Sequence, residues 1–146
     1  MGSLDLPDSG IAYVDTQVLI YSIEKIVPYF DVLIPLWKAS ETGELEIITS
    51  ELAVVEVLTG PMKKGNNHLV SIYDELINGT EIQLMPIDRD ILRAAAKLRA
   101  QTSLRTPDAI HAATAMSIDC SVFITNDIAF RSLSSLPIQM LKDIVG

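Results

Sequence analysis

Four acidic residues follow or interrupt apolar segments in a pattern that could build a cation site. Asp15 follows IAYV, Glu56 lies inside SELAVVEVL, Asp108 lies in LRTPDAIHAATA, and Asp127 ends VFITND. In an open α/β sheet, the carboxyl ends of the strands form the crevice where ligands bind. Carboxylates gathered there repel one another unless protons or a hard metal ion neutralise them. The pattern therefore predicts an oxygen-only site suited to Mg²⁺ or Mn²⁺.

Each acidic residue also has a simpler structural explanation. Asp15, Asp108 and Asp127 stand where helices are expected to begin, and an aspartate there caps free amides and complements the helix dipole. Glu56 could mark the solvated edge of an otherwise apolar helix, whereas a buried Glu56 would need a partner. Both interpretations stay open for all four residues.

Other catalytic chemistries have less support in the sequence. His111 shares a predicted helical face with Asp108, so an Asp–His metal pair is conceivable, but a partly buried histidine bonded to a neighbour is the commoner arrangement. His68 and Cys120 are the only other histidine and cysteine in the chain, too few for a transition-metal site. The sequence contains no GxSxG elbow and no phosphate-binding glycine loop.

The elements that must position these residues alternate between strand and helix patterns. Short apolar segments predict strands at 11–14, 45–49, 81–87, 121–125 and, at an edge, 137–141. Helical periodicity predicts helices at 16–25, 28–43, 51–60, 68–79, 88–102, 108–118 and 128–133. We expect Gly60 and Pro61 to end the third helix, residues 61–67 to form a loop, and Thr106 to cap the sixth helix. This alternation predicts an α/β fold with a mostly parallel sheet.

Length and composition fit one domain with an apolar core. The 146 residues are 49% hydrophobic with a mean hydropathy of +0.32, yet no apolar run approaches the ~18 residues that a membrane span needs. With no secretory signal visible, we expect a soluble, cytoplasmic protein in which Cys120 is a buried thiol. Residues 1–146 are predicted to form a single domain, with residues 1–10 either tag-derived or disordered.

The charge balance is acidic. Eleven Lys and Arg against nineteen Asp and Glu give a net charge of −8, which argues against a broad electrostatic nucleic-acid binder. It does not exclude a nucleic-acid enzyme, because bound cations invert the local field. A limited positive rim could come from Lys63, Lys64, Arg99 and Arg105.

Taken together, the acidic segments resemble the PIN-domain nucleases, and especially the VapC-like toxins of VapBC toxin–antitoxin pairs. LRTPDAIHAATA followed by VFITND resembles the third and fourth acidic motifs of that family, YVDTQVLIY the first, and TSELAVVEVL the second. The resemblance extends from about Ile11 to Leu141, which is nearly the whole chain.

The resemblance implies a three-layer α/β/α sandwich and a metal-dependent endoribonuclease that hydrolyses RNA. It implies Asp15, Glu56, Asp108 and Asp127 as catalytic residues that bind Mg²⁺ or Mn²⁺, with Thr125 as an accessory group. It also implies a cognate antitoxin whose tail enters the cleft, and usually a homodimer. The apolar residues near Val32, Leu33, Leu36 and Trp37 are a candidate dimer face, although internal packing explains them equally well.

Three alternatives compete with this interpretation. The chain could be a stand-alone PIN nuclease of RNA processing or decay, or a PIN-like module that only binds a protein partner. A phospho-acceptor receiver domain is also α/β and acidic. It needs paired acids after the first strand and a lysine late in the chain, where this sequence has a lone Asp15 and ITND.

Overall fold

A five-stranded, fully parallel sheet forms the centre of the computed structural model, which describes residues 2–146. The strand order is β3-β2-β1-β4-β5, and each neighbouring pair runs parallel. The strands are β1 (Gly10–Val14), β2 (Leu45–Ser50), β3 (Gln83–Met85), β4 (Val122–Thr125) and β5 (Ile138–Met140). The predicted parallel sheet is confirmed, and all five predicted strands are present.

The chain builds this sheet outward from β1 in two directions. It first adds β2 and β3 on one side and later adds β4 and β5 on the other, so the order reverses between β1 and β4. At such a switch point the connections leave in opposite directions and open a crevice at the carboxyl ends of the strands. Asp15 follows β1 directly and Asp127 follows β4 after one residue, so both lie at this crevice.

Helices cover both faces of the sheet, which confirms the three-layer α/β/α architecture. One face carries α1 (Thr16–Ile23), α2 (Tyr29–Glu41), α3 (Leu52–Lys63), α4 (Asn67–Asn78) and α7 (Leu141–Val145). The other carries α5 (Arg89–Gln101), α6 (Thr106–Ser117) and a 3-10 helix (Ile128–Ser132). None of the helices in residues 2–146 combines the length and apolar character needed to cross a membrane.

Alternation along β1 divides the core between the two faces. Ala12 and Val14 belong to the cluster under α1 to α4, whereas Tyr13 belongs to the cluster under α5 and α6. Neighbouring residues of a strand point to opposite faces, which explains this division. Tyr13 stacks on Phe123 of β4 with ring centroids 5.2 Å apart, so its hydroxyl is carried on a rigid part of the core.

The end of α3 differs from the prediction. Gly60 and Pro61 do not end the helix, which continues to Lys63. Pro61 is buried, and the turn after it is closed by the Lys64 amide bonding to the Gly60 carbonyl at 3.2 Å. Burial of the ring and this closing bond offset the single hydrogen bond that a proline removes. The predicted loop 61–67 is therefore shorter than expected.

The sequence interpretation also placed the start of one helix wrongly and missed another helix. Thr106 is the first residue of α6 and not its cap; Arg105 precedes the helix without a side-chain cap bond. Helix α7 was not predicted, because its five residues are too few to show helical periodicity.

Three of the four residues of the candidate dimer face on α2 pack internally. Val32, Leu33 and Leu36 are buried under α1 and α2, so they are not available to a second copy of the chain. Trp37 is half-buried, and its indole donates to the Ser22 hydroxyl at 2.8 Å. The homodimer itself stays a prediction.

The segment before β1 packs against the end of the chain. The Gly2 amide donates to the Ile144 carbonyl at 2.9 Å, and Leu4 is 9% exposed within the core. The tag-derived origin or disorder expected for residues 1–10 stays a prediction, and Met1 lies outside the described residues.

Candidate active site

Asp15 stands at the junction between β1 and α1 and is 7% exposed. Its Oδ1 accepts the Thr16 amide at 2.7 Å, so it does cap the helix, as the simpler explanation required. Its Oδ2 accepts the Thr125 hydroxyl at 2.8 Å. Burial raises the pKa of Asp15, while the charge of His111 and the bonds from Thr125 and Thr16 oppose that rise. Capping therefore accounts for one oxygen of Asp15, and its site role stays a prediction.

Thr125 ties the ends of β1 and β4 together. Its hydroxyl donates to Asp15 and accepts the Asp127 amide at 3.0 Å, so one side chain orients two of the predicted site residues. Asp127 in turn caps the 3-10 helix by accepting the Ala129 amide at 2.9 Å. Thr125, predicted as an accessory group, thus contacts the carboxylate of Asp15 and the backbone of Asp127.

Asp108 and Asp127 line a cleft of about 480 Å³ together with Glu56 and Arg105. Asp108 lies in the first turn of α6, as predicted. Burial and the charges of Asp127 and Asp15, with a further contribution from Glu56, raise the pKa of Asp108 to about 6 against the opposing charge of His111. Like charges that shift one another's titration must be near neighbours. Glu56, Asp108 and Asp127 thus line one cleft, while Asp15 lies at the end of β1, bonded to Thr125, and is not among the residues that line it.

The gathered carboxylates do not form a closed ligand cage. Within residues 2–146, no three His, Cys, Asp or Glu side chains are placed so that they could hold a metal ion by themselves. The interaction between two charges extends further than a metal–oxygen bond. The raised pKa of Asp108 therefore does not require that the carboxylates form such a cage. The site residues stay a prediction, now with a defined location.

Glu56 is held by partners and is not simply on a solvated helix face. Its side chain is 31% exposed, and its Oε1 lies 2.8 Å from both the Thr16 hydroxyl and Nε2 of His111. Burial alone would raise the pKa of Glu56, but the hydrogen bond and charge of His111, with the Thr16 hydroxyl, hold it below its usual range. Glu56 is therefore an anion at neutral pH.

His111 bonds to a neighbour, as the simpler of its two explanations required. It is 1% exposed, and its Nδ1 lies 2.7 Å from the Tyr13 hydroxyl. Burial raises the pKa of Tyr13 well above its usual value, so the phenol keeps its proton. Cys120 is buried, with its pKa raised to about 11 chiefly by that burial, and an inert thiol excludes cysteine catalysis.

Sequence reasoning missed two residues beside the site. Thr16 could have been found from its position after Asp15, whereas Tyr13 looks like any core residue of an apolar strand. Arg105 was one of four residues proposed for a limited positive rim, and of those four it alone lines the cleft.

The chain belongs to the PIN domain family, whose model matches residues 12–136. PIN domains are generally nucleases, and PIN nucleases typically use divalent metals. No curated protein sequence gives a significant match.

Solved structures with similar folds include several toxin–antitoxin complexes. VapBC2 from Rickettsia felis, bound to a DNA fragment from its promoter, has a TM-score of 0.70 at 19% identity, covering 89% of this chain and 98% of that one. A toxin–antitoxin complex from Klebsiella pneumoniae has a TM-score of 0.67 at 21% identity, covering 89% and 97%. VapBC-5 from Mycobacterium tuberculosis has a TM-score of 0.57 at 21% identity, covering 92% and 98%. At these identities the likeness shows a shared fold.

Proposed function

We propose that this protein is a Mg²⁺- or Mn²⁺-dependent endoribonuclease and the toxin of a type II toxin–antitoxin pair. The observation that carries the nuclease assignment is the cleft that Glu56, Asp108 and Asp127 line at the switch point of a parallel sheet. Asp15 lies at the end of β1, and the raised pKa of Asp108 supports the assignment. Such a group of carboxylates favours occupation by a hard divalent cation, which neutralises the repulsion.

The donor set fits Mg²⁺ or Mn²⁺. All four side chains offer oxygen, the ligand these ions prefer, and Mg²⁺ is usually bound by one or two carboxylates, waters and substrate phosphates. A complete protein cage is therefore not required. In this proposal Asp15 and Asp108 are the central ligands, while Asp127 and Glu56 ligate directly or through water.

A divalent cation held by these residues would supply a water of lowered pKa and would neutralise charge on the phosphate. The chain's own groups prepare that chemistry. Thr125 holds Asp15, the 3-10 helix amide holds Asp127, and His111 with Thr16 holds Glu56. Three of the four carboxylates are therefore oriented before RNA binds, which reduces the reorganisation required during the reaction.

Arg105 is the RNA-binding group in this proposal. It is exposed, lines the acidic cleft, and forms no ion pair within residues 2–146. The Arg99 guanidinium donates to the Leu104 carbonyl at 3.3 Å and so braces the segment that carries Arg105. A guanidinium at the rim of a carboxylate cleft suits a phosphate next to the scissile bond.

The antitoxin assignment depends on the PIN fold and on neighbours solved as toxin–antitoxin complexes. A cleft lined by three carboxylates and open to solvent would attract a basic side chain on an antitoxin tail. We include a homodimer in the proposal, with its interface elsewhere than the buried residues of α2. Co-expression with the product of a neighbouring small gene would separate a toxin from a stand-alone RNA-processing nuclease.

The decisive experiment is cleavage of an end-labelled RNA with Mg²⁺, Mn²⁺ or a chelator, using wild type and Asp108→Asn purified in the same way. We expect cleavage by wild type with either metal, none with chelator, and none by the variant. Because water is the nucleophile, the products should carry 5′-phosphate and 3′-hydroxyl ends. A 2′,3′-cyclic phosphate would reject the mechanism, and a complete lack of cleavage would favour a protein-binding module.

A further inference from the structure

Three polar side chains, Tyr13, His111 and Glu56, are linked by hydrogen bonds from the sheet to the cleft. The Tyr13 hydroxyl on β1 lies 2.7 Å from Nδ1 of His111 on α6, and Nε2 of the same ring lies 2.8 Å from Oε1 of Glu56 on α3. Tyr13 is 0% exposed and His111 is 1% exposed. The imidazole therefore connects three separate elements at one point.

The proton on Nε2 can be assigned from the partner. A carboxylate oxygen can only accept, so Nε2 must donate to Glu56, and Nδ1 pairs with the Tyr13 hydroxyl. The Thr16 hydroxyl donates to the same Oε1 at 2.8 Å and lies 3.3 Å from Nε2. Two donors thus hold one oxygen of Glu56.

The other oxygen of Glu56 is left for the cleft. Oε2 has no hydrogen-bond partner among residues 2–146, while both bonds to this carboxylate reach Oε1. Glu56 lines the cleft with Asp108 and Asp127, and its side chain is about one-third exposed. A carboxylate fixed through one oxygen presents the second in a defined direction, which is how bonded neighbours orient metal ligands.

The anchor of this arrangement is rigid. Tyr13 stacks on Phe123, and its ring meets the His111 ring edge-on with centroids 5.9 Å apart. The bond at Nδ1 ends on this packed residue of the core, whereas the bond at Nε2 ends on Glu56, a residue that lines the cleft. The contacts therefore lead from the packed sheet to a single acidic group.

We propose that His111, braced by Tyr13, is a positioning residue that fixes Oε1 of Glu56 so that Oε2 is aimed at a divalent cation in the cleft. This inference rests on the proposed function, since it assigns how one carboxylate of that site is held. His111 does not contact the cation or the RNA; it acts through Glu56.

The test is Mn²⁺ binding to the purified, RNA-free protein, measured by calorimetry for wild type, His111→Leu, His111→Gln and Tyr13→Phe. We expect His111→Leu to weaken Mn²⁺ binding by about 10- to 100-fold, the range for loss of a group that orients a ligand. His111→Gln should recover most of the affinity, because its amide can donate from nearly the same place as Nε2. Tyr13→Phe should fall between wild type and His111→Leu.

Two controls separate positioning from general loosening of the core. Tyr73→Phe removes another buried tyrosine hydroxyl, which bonds to Glu24 at 2.6 Å far from the cleft, and should leave Mn²⁺ affinity unchanged. In a Glu56→Gln background, His111→Gln and Tyr13→Phe should cause no further loss, because both act through Glu56.

The outcomes distinguish the two proposals. If wild-type protein binds Mn²⁺ and both His111→Gln and His111→Leu bind it with the same affinity, the positioning role of His111 is overturned. The nuclease assignment then stays intact. If RNA-free wild-type protein binds no Mn²⁺, the positioning role of His111 fails, and the RNA cleavage assay with Mg²⁺, Mn²⁺ or chelator decides the nuclease assignment separately. If His111→Leu does not fold, Tyr13→Phe decides the matter: affinity equal to that of Tyr73→Phe overturns the proposal, and a selective loss supports it.

Discussion

The Thr125 hydroxyl donates to Oδ2 of Asp15 at 2.8 Å and joins the ends of two neighbouring strands at the point where the strand order reverses. Both residues are buried, with Asp15 7% and Thr125 0% exposed. A buried carboxylate is tolerated only when its oxygens have partners. The bond therefore links the packing of β1 against β4 to the orientation of the Asp15 carboxylate.

Replacing Thr125 with valine should destabilise the protein. The change keeps the side-chain shape but leaves Oδ2 of Asp15 without its donor, at a cost of about 1–3 kcal/mol. It also removes the acceptor of the Asp127 amide. Urea unfolding at pH 7.5 measures the loss, and Thr125→Ser, which keeps the hydroxyl, is the matched control. Equal stability of Thr125→Val and wild type would show that this bond contributes nothing.

Replacing Asp15 with asparagine should abolish cleavage without destabilising the fold. Burial raises the pKa of Asp15, which means that the folded protein holds the charged form at a cost. The amide oxygen of the Asp15→Asn variant would still accept the Thr16 amide, and its NH₂ group would donate to the Thr125 hydroxyl, which reverses the direction of that bond. The buried charge would be removed. We expect thermal melting at pH 7.5 to show equal or higher stability, and RNA cleavage at saturating Mn²⁺ to be lost. A stable variant that cleaves at the wild-type rate would remove Asp15 from the proposed ligands.

The raised pKa of Asp108 predicts a specific pH dependence. Its value of about 6 in the folded protein exceeds the ordinary 3.8, so between these values the folded state binds more protons than the unfolded state. This residue's contribution to metal-free stability therefore falls as pH rises through that window. Asp108→Asn removes this effect. The variant should therefore melt at a higher temperature than wild type at pH 7.5, and the two melting temperatures should converge near pH 4.

The same titration should appear in metal activation. A cation competes with the proton on Asp108, so the Mn²⁺ concentration needed for half-maximal cleavage should increase as pH falls below about 6. Saturating Mn²⁺ should restore much of the rate at pH 5.5, provided that RNA binding is measured separately at each pH. A half-maximal concentration that is constant between pH 5.5 and 8 would contradict the prediction.

The strands and most helices could be predicted from the sequence, because their patterns repeat over many residues. The order of the strands across the sheet could not. Short apolar segments gave all five strands, and helical periodicity gave the helices other than α7. Both patterns report burial on one or two faces of an element. The order β3-β2-β1-β4-β5 depends on contacts between distant segments, which periodicity does not encode. The continuation of α3 through Pro61 likewise depends on how that ring is buried in the assembled core.

The acidic residues were identifiable because carboxylates beside apolar strands are conspicuous. Their partners were harder to identify. Tyr13 lies in an apolar strand and shows its role only through the bond to His111 from an element 98 residues away. The pairing of His111 with Asp108 was suggested by helical spacing, but the fold brings Glu56 of another helix to Nε2 instead. Such long-range pairs follow from the tertiary structure and not from local spacing.

Arg105 should contribute to RNA binding more than to the chemical step. We expect Arg105→Gln to raise the KM for a single-stranded RNA while leaving kcat at saturating RNA nearly unchanged, since a contact to a phosphate that neighbours the reacting one binds ground and transition states alike. The slope of log affinity against log salt should decrease in magnitude by about 0.7, the value for one phosphate contact on a single strand. Catalytically inactive Asp108→Asn protein allows that affinity to be measured without cleavage.

Arg131 provides the matched control for this prediction. It pairs with Asp143 at 2.6 Å and lies on a different part of the surface, next to β5 and α7. Arg131→Gln removes the same charge from the protein but should leave both KM and the salt slope unchanged. If the two variants weaken RNA binding equally, the effect comes from the overall charge and Arg105 is not a specific contact. A selective effect of Arg105→Gln would locate the RNA backbone at the N-terminal end of α6, beside Asp108.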